Sequence, residues 1–270
     1  MQFIEYSHRF AKPIINSDTE LINRYNEFIN SIGSITDEDL ITDFTNEKNL
    51  HRQRGTSFKS LTTSINTLIR LRISNLPGWH KEVDIFNDTL GVLGNTEWRL
   101  DFACDNAFCV EIAFNHGEAI AWNLLKPVLA CELNHVQKAV QGKVGIYVCA
   151  TDDLKKAGNI DSSSGSFEKV LRYLPPMMNQ LTIPIIILGL QAPASFSINK
   201  AANIQSNKFI PILLNTAVHV ILKSNHVISG IFTNYVPALF PTSALASITL
   251  PDYTIIPINE QDIFSIEYLI

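Results

Sequence analysis

The chain has 270 residues, 46% hydrophobic and 17% charged, with a formal net charge of −5. That length builds one well-buried domain with room for a smaller lobe, and the composition excludes a disordered chain. The apolar run IPIIILGL at 183–190 falls far short of the roughly 20 residues a membrane span needs, and MQFIEYSHRF lacks an export pattern, so a cytoplasmic protein is expected.

Ser17 followed by DTELINRYNEFINSIG predicts a capped helix, with Glu20 three residues past the cap and Gly33 closing it. TDEDLITDF at 36–44 predicts a second short helix. NLHRQRGTS at 49–57 has no apolar period and reads as a loop or mobile arm. SFKSLTTSINTLIRLRISN then gives a basic amphipathic helix, stopped by Pro77.

After GWHKEVDIF, residues 98–125 (WRLDFACDNAFCVEIAFNHGEAIAWNLL) read as two short strands joined at Asp105–Asn106, followed by a helix. That helix is expected over 118–139, bent or broken at Pro127. KVGIYVCA at 143–150 is a buried strand and SFEKVLRYLPPMMNQL a helix stopped near Pro175. IPIIILGL is a second buried strand. The order β-β-α-β-α-β places a mixed central sheet between helices, an α/β sandwich. The expectation is a single domain over 1–270: helices in 1–77, a core at about 78–190, and an extension of strands and loops over 191–270. Pro211, Pro237, Pro241, Pro251 and Pro257 punctuate that extension.

Charge is segregated along the chain. Residues 1–47 hold nine carboxylates against three Lys/Arg, whereas 48–72 hold six cations (Lys48, Arg52, Arg54, Lys59, Arg70, Arg72) and no carboxylate. From Lys169 to Pro251, 83 residues pass without an Asp or Glu. Phosphate-binding surfaces are built by excluding carboxylates as well as by adding cations. The 48–72 segment is therefore expected to touch DNA, through Arg52, Arg54 and Lys59 among others. Burial of an Ile-, Leu- and Val-rich stretch accounts equally well for 169–251.

Asp101 and Glu111 fall on the two adjacent strands. Side chains two apart on a strand share a face, so Glu111 and position 113 project together, and Asp101 can meet Glu111 from its neighbour. Paired carboxylates suit a hard divalent cation. Position 113 is Ala113, where such sites usually carry a third polar group. A methyl neither hydrogen-bonds nor transfers a proton, and positioned acid–base help is worth about 10² to 10⁴ in rate. A slow or inert chain is the expectation.

These segments together resemble the type II restriction endonucleases of the PD-(D/E)XK superfamily, in the Bam/Bgl-type branch, from about Gly78 to Leu190. The resemblance is carried by LDF at 100–102, VEIAFN at 110–115, LLK at 124–126 and GIYVCATDDL at 145–154, and continues through FEKVLRYLP and PIIILGL. It implies Mg²⁺-dependent double-strand cleavage of DNA at palindromic sites by a homodimer. Asp101 and Glu111 stand where the family's metal carboxylates stand. Ala113 stands where the family has Lys, Glu or Gln, the residue that orients or deprotonates the attacking water. Three accounts of Ala113 stay open: an introduced knock-out, a substitute from Glu82, Glu97 or Glu118, and a natural DNA binder that lost catalysis.

Asn115 and His116 follow the second strand and open a helix, a place to grip phosphate; helix capping by Asn115 is the competing account. SSSGS at 162–166 is expected to be a loop and N-cap. His80 beside Glu82 is a weak acid–base signal, and His135, His219 and His226 read as structural. Cys104, Cys109, Cys131 and Cys149 form no Cys-x-x-Cys pair and are expected to be buried and reduced. The alternative to a nuclease is a non-catalytic, sequence-specific DNA-binding protein with the same fold. No Gly-rich phosphate loop, triad or cofactor motif supports a small-molecule enzyme.

Overall fold

The computed structural model describes residues 1–87, 98–132, 137–209, 214–237 and 244–269. Glu97, His135, Pro211 and Pro241, singled out above, lie outside the described residues. Contacts divide the chain into two compact units: residues 1–35, 65–156 and 161–192 form the first, and 36–64, 157–160 and 193–270 the second.

The first unit is built on a six-stranded sheet, with strands β1 (Phe3–His8), β2 (Trp79–Asp84), β3 (Arg99–Cys104), β4 (Phe108–Ala113), β5 (Val144–Ala150) and β6 (Ile185–Leu190) in the order β1-β6-β5-β4-β3-β2. β4, β5 and β6 are parallel, while β1, β2 and β3 pair antiparallel with their neighbours. Every residue of β5 and β6 is buried. That fits continuous apolar parallel strands covered on both faces.

One face packs against α5 (Ile120–Cys131) and α7 (Phe167–Tyr173), with Leu124, Val128, Phe167 and Val170 meeting Tyr147, Ile185 and Ile187. Gly145 on β5 is needed there, because a Cβ would stand 2.9 Å from the Pro127 side chain of α5. Towards the other face α2 (Thr19–Gly33) presents buried Leu21, Tyr25, Phe28 and Ile32. Its rings meet Phe108 at 6.1 Å and Trp79 at 5.2 Å. The expected mixed sheet between helices is therefore present.

Several local expectations need correction. The cap of α2 is Asp18, whose carboxylate accepts from the Glu20 and Leu21 amides; Ser17 instead ends α1 (Ala11–Ser17). The N-terminal region opens with β1, hydrogen-bonded along β6, and β1 is mostly exposed, so it carries no clear period-2 signal. GWHKEVD forms β2. α5 passes through Pro127 and ends at Cys131 rather than reaching 139. The loop after β5 begins with a short helix, α6 (Asp152–Ala157).

In the second unit α3 (Asp37–Gln53) replaces the expected short helix and most of the polar loop. It starts with a Thr36/Asp39 capping box, and Gly55 follows its Arg54 cap at φ 69°, a left-handed conformation glycine adopts without strain. Its last turns are polar and lack an apolar period, which is why the sequence hides them. α4 (Thr62–Ser74) matches the expected basic helix in kind, starting later than 57, and its residues from 65 onward belong to the first unit.

The C-terminal region forms an antiparallel sheet ordered β12-β11-β10-β9-β13-β8-β7. These strands are β7 (Phe196–Ile198), β8 (Ile204–Ser206), β9 (Thr216–Leu222), β10 (Val227–Val236), β11 (Leu245–Thr249), β12 (Ile255–Asn259) and β13 (Ile263–Leu269). Pro257 lies in the edge strand β12, where a missing amide is tolerated. Among the described residues no helix is long and apolar enough to cross a membrane.

Candidate active site

The β3–β4 ladder pairs Cys104 with Phe108 and Phe102 with Val110, then stops one pair short of Asp101 and Glu111. Beyond it the Asp101 side chain ties the strands together, its Oδ2 accepting from the Ile112 amide at 2.7 Å. The turn between the strands is the expected one, with Asn106 at φ 59°. Two carboxylates thus stand on neighbouring strands where the ladder opens.

Each meets a cation from a helix. Arg70 of α4 donates from Nη2 to Asp101 Oδ1 at 2.6 Å and from Nη1 to Glu82 Oε1 at 3.0 Å. Lys126 of α5 donates from Nζ to Glu111 Oε1 at 2.7 Å. The Lys126–Glu111 pair is nearly enclosed, with side chains 16% and 6% exposed. Glu111 Oε2 is buried and has no hydrogen-bond partner among the described residues.

An unpaired buried carboxylate oxygen is costly unless something else binds it. Burial, and then the charge of Asp101, push the Glu111 carboxyl up to about 7, against the pull of Lys126 and Arg70. Burial likewise raises the Asp101 carboxyl, although the Ile112 amide, Arg70 and Lys126 pull it down. Two acids held against their preferred ionisation, with one oxygen left over, make a site that gains by taking up positive charge. Among the described residues no third His, Cys, Asp or Glu completes a metal cage with them.

The remaining candidates scatter. Ala113 is buried in the apolar cluster with Ile120, Leu124 and Cys149. Asn115 caps no helix; its Oδ1 accepts from Asn123 Nδ2 at 3.0 Å. His116 Nδ1 meets Ser163 Oγ at 2.7 Å, and both Asn115 and His116 are exposed. Arg52, Arg54 and Lys59 are exposed in the second unit; Arg52 lies in the last turn of α3 and Arg54 caps it, rather than in a loop. Lys48, counted among the phosphate-binding cations, donates instead to Ala202 O at 2.6 Å and Asn203 Oδ1 at 3.1 Å. Glu82 is engaged by Arg70, and Glu118 is exposed. Ser166 caps α7, as expected of SSSGS, and the four cysteines are buried and free.

Two residues of the cluster had no site role in the sequence. In the sequence Arg70 reads only as one of the phosphate-binding cations of 48–72. Lys126 has two signals in the sequence, its place in LLK at 124–126, one of the segments that carry the resemblance, and its being the sole charge in the apolar helix IAWNLLKPVLAC.

A mixed sheet between helices, with paired carboxylates at an opening hairpin, defines a restriction-endonuclease-like fold. A solved structure described as "Crystal structure of restriction endonuclease BGLII complexed with DNA 16-mer" is similar, with a TM-score of 0.51 at 14% identity, covering 96% of this chain and 100% of that one. The sequence matches the family "Restriction endonuclease BglII/BglIII" over residues 3–190, and the chain belongs to that family. No curated protein matches the sequence significantly.

Proposed function

We propose that this chain is a type II restriction endonuclease of the PD-(D/E)XK kind, making Mg²⁺-dependent double-strand breaks at a short palindromic DNA site. The observation that carries the reading is the buried, unpartnered Oε2 of Glu111 beside Asp101, in a member of a restriction endonuclease family. The donor set fits Mg²⁺: hard oxygens only, and few of them. This cation keeps several waters and is bound by one or two carboxylates together with substrate phosphate.

Asp101 and Glu111 would hold the ion. When bound, it supplies charge that polarises the scissile phosphate and makes its water more acidic. The chain's own groups do the rest. Asp101 is fixed by the Ile112 amide, and Arg70 and Lys126 balance the two carboxylates while no substrate is present. Exposed Asn115 and His116 follow β4 and are candidates to grip phosphate nearby, while Arg52, Arg54 and Lys59 neutralise backbone phosphates. A palindromic target has two-fold symmetry, so a homodimer is the matching assembly, with the whole chain acting as one endonuclease domain.

The test is digestion of unmethylated phage DNA in Mg²⁺, with the ends sequenced. Asp101→Asn and Glu111→Gln should abolish cleavage and leave specific binding in Ca²⁺ largely intact; unchanged rates would remove the carboxylates from the mechanism. Ala113 favours a second reading, a non-catalytic DNA-binding protein. That reading predicts specific binding with neither cuts nor any Mg²⁺-dependent gain in affinity.

A further inference from the structure

Glu111 and Ala113 project from β4 on one face of the sheet, the face covered by α5. A lysine at position 113 would bring an ammonium to that face from the strand. Lys126 brings one from the helix, to 2.7 Å from Glu111 Oε1. The neighbouring side chains of α5 are apolar and packed: Leu124 and Val128 are buried, and Leu125 and Leu129 lie against the same core. An enclosed ion pair in such surroundings adds little net stability, since replacing both members together by apolar groups is often neutral or stabilising. Of the other candidates among the described residues, Glu82 is held by Arg70 and Glu118 is exposed.

We infer that Lys126 supplies, from α5, the charged donor that Ala113 lacks. This rests on the nuclease reading of Asp101 and Glu111. With DNA bound, the ammonium orients the attacking water and stabilises the negative charge that builds on the phosphoryl oxygens. The water oxygen forms the new P–O bond as the P–O bond to the leaving sugar oxygen breaks with its electron pair. One water proton passes to solvent, and the leaving oxygen takes a proton from solvent.

Lys126→Met keeps the length and apolar stem of the side chain and removes its charge. In single-turnover cleavage of unmethylated phage DNA it should lose about 10²-fold or more, the range for a positioned group. Melting temperature in metal-free buffer should fall, because Glu111 is left buried without its partner, while DNA affinity in Ca²⁺ should stay near the parent's. Mn²⁺ should bind the free protein several-fold more tightly, because a neighbouring cation is gone. Lys126→Arg should retain more rate than Lys126→Met. Ala113→Lys added to Lys126→Met should restore part of the rate and weaken Mn²⁺ binding again. Should that double variant not fold, the Met and Arg variants and the Mn²⁺ titration decide.

The inference is overturned if Lys126→Met cuts at the parental rate. It is equally overturned if the folded double variant regains nothing, or if the parent binds Mn²⁺ through Asp101 yet cuts no DNA. Asp101→Asn that changes neither Mn²⁺ binding nor cleavage would overturn the nuclease reading itself.

Discussion

Asp101 is balanced by a guanidinium it must share. Arg70 bridges Asp101 and Glu82, and Glu82 adopts a left-handed backbone at φ 51° on β2, a conformation that is uncommon for a residue with a side chain. Any cation arriving at Asp101 has to displace or tolerate that charge. Arg70→Met should therefore bind Mn²⁺ several-fold more tightly in calorimetric titration. An unchanged affinity would show that the guanidinium swings clear at no cost.

At the level of elements, α5 places Lys126 through its seat on β5. Gly145→Ala would set a methyl against Pro127, and overpacking of this kind costs about 1–3 kcal/mol. The expected result is a lower melting temperature, together with a drop in cleavage larger than the folded fraction explains. Loss of activity in strict proportion to unfolding would separate the helix seat from the chemistry.

The sheet edge carries a pH signal of its own. His8, at the end of β1, is buried and lies 3.2 Å through Nε2 from Leu181 O. Burial, with help from the charge of Arg9, lowers its pKa below 6.5, although the Leu181 carbonyl opposes this. The unfolded chain then takes up the proton first as pH falls, so the neutral imidazole's contribution is present above about pH 6.5 and is lost below it. His8→Gln should flatten the stability curve between pH 6.5 and 5 in denaturant titrations; an unchanged slope would assign the acid sensitivity to other groups.

For the whole molecule, the question is which cations remain for DNA. Lys48 and Arg70 are engaged within the chain and Arg72 is half-buried, which leaves Arg52, Arg54 and Lys59 as the exposed members of the 48–72 group. Each phosphate contact contributes about 0.9 to the slope of log K against log salt. Replacing Arg52 and Arg54 by Ala should weaken specific and random DNA by similar factors and flatten that slope by about two. A loss confined to the specific site would instead make them base readers.

The sequence by itself determined the sandwich core and the carboxylate pair. Apolar runs such as VGIYVCA and IIILGL leave little choice but buried strands, and side-chain alternation fixes the face on which Glu111 projects. It did not disclose β1 or the polar half of α3, because an exposed edge strand and a solvated helix bury too little to leave a period. Nor did it join Lys126 to Glu111 or Arg70 to Asp101. Those pairs are 15 and 31 residues apart, and only the packing of α5 and α4 against the sheet brings them within hydrogen-bonding distance. Ala113 marked where a polar group is missing; where a replacement could come from was decided by tertiary packing, since a charge delivered from a covering helix leaves no spacing along the strand to read.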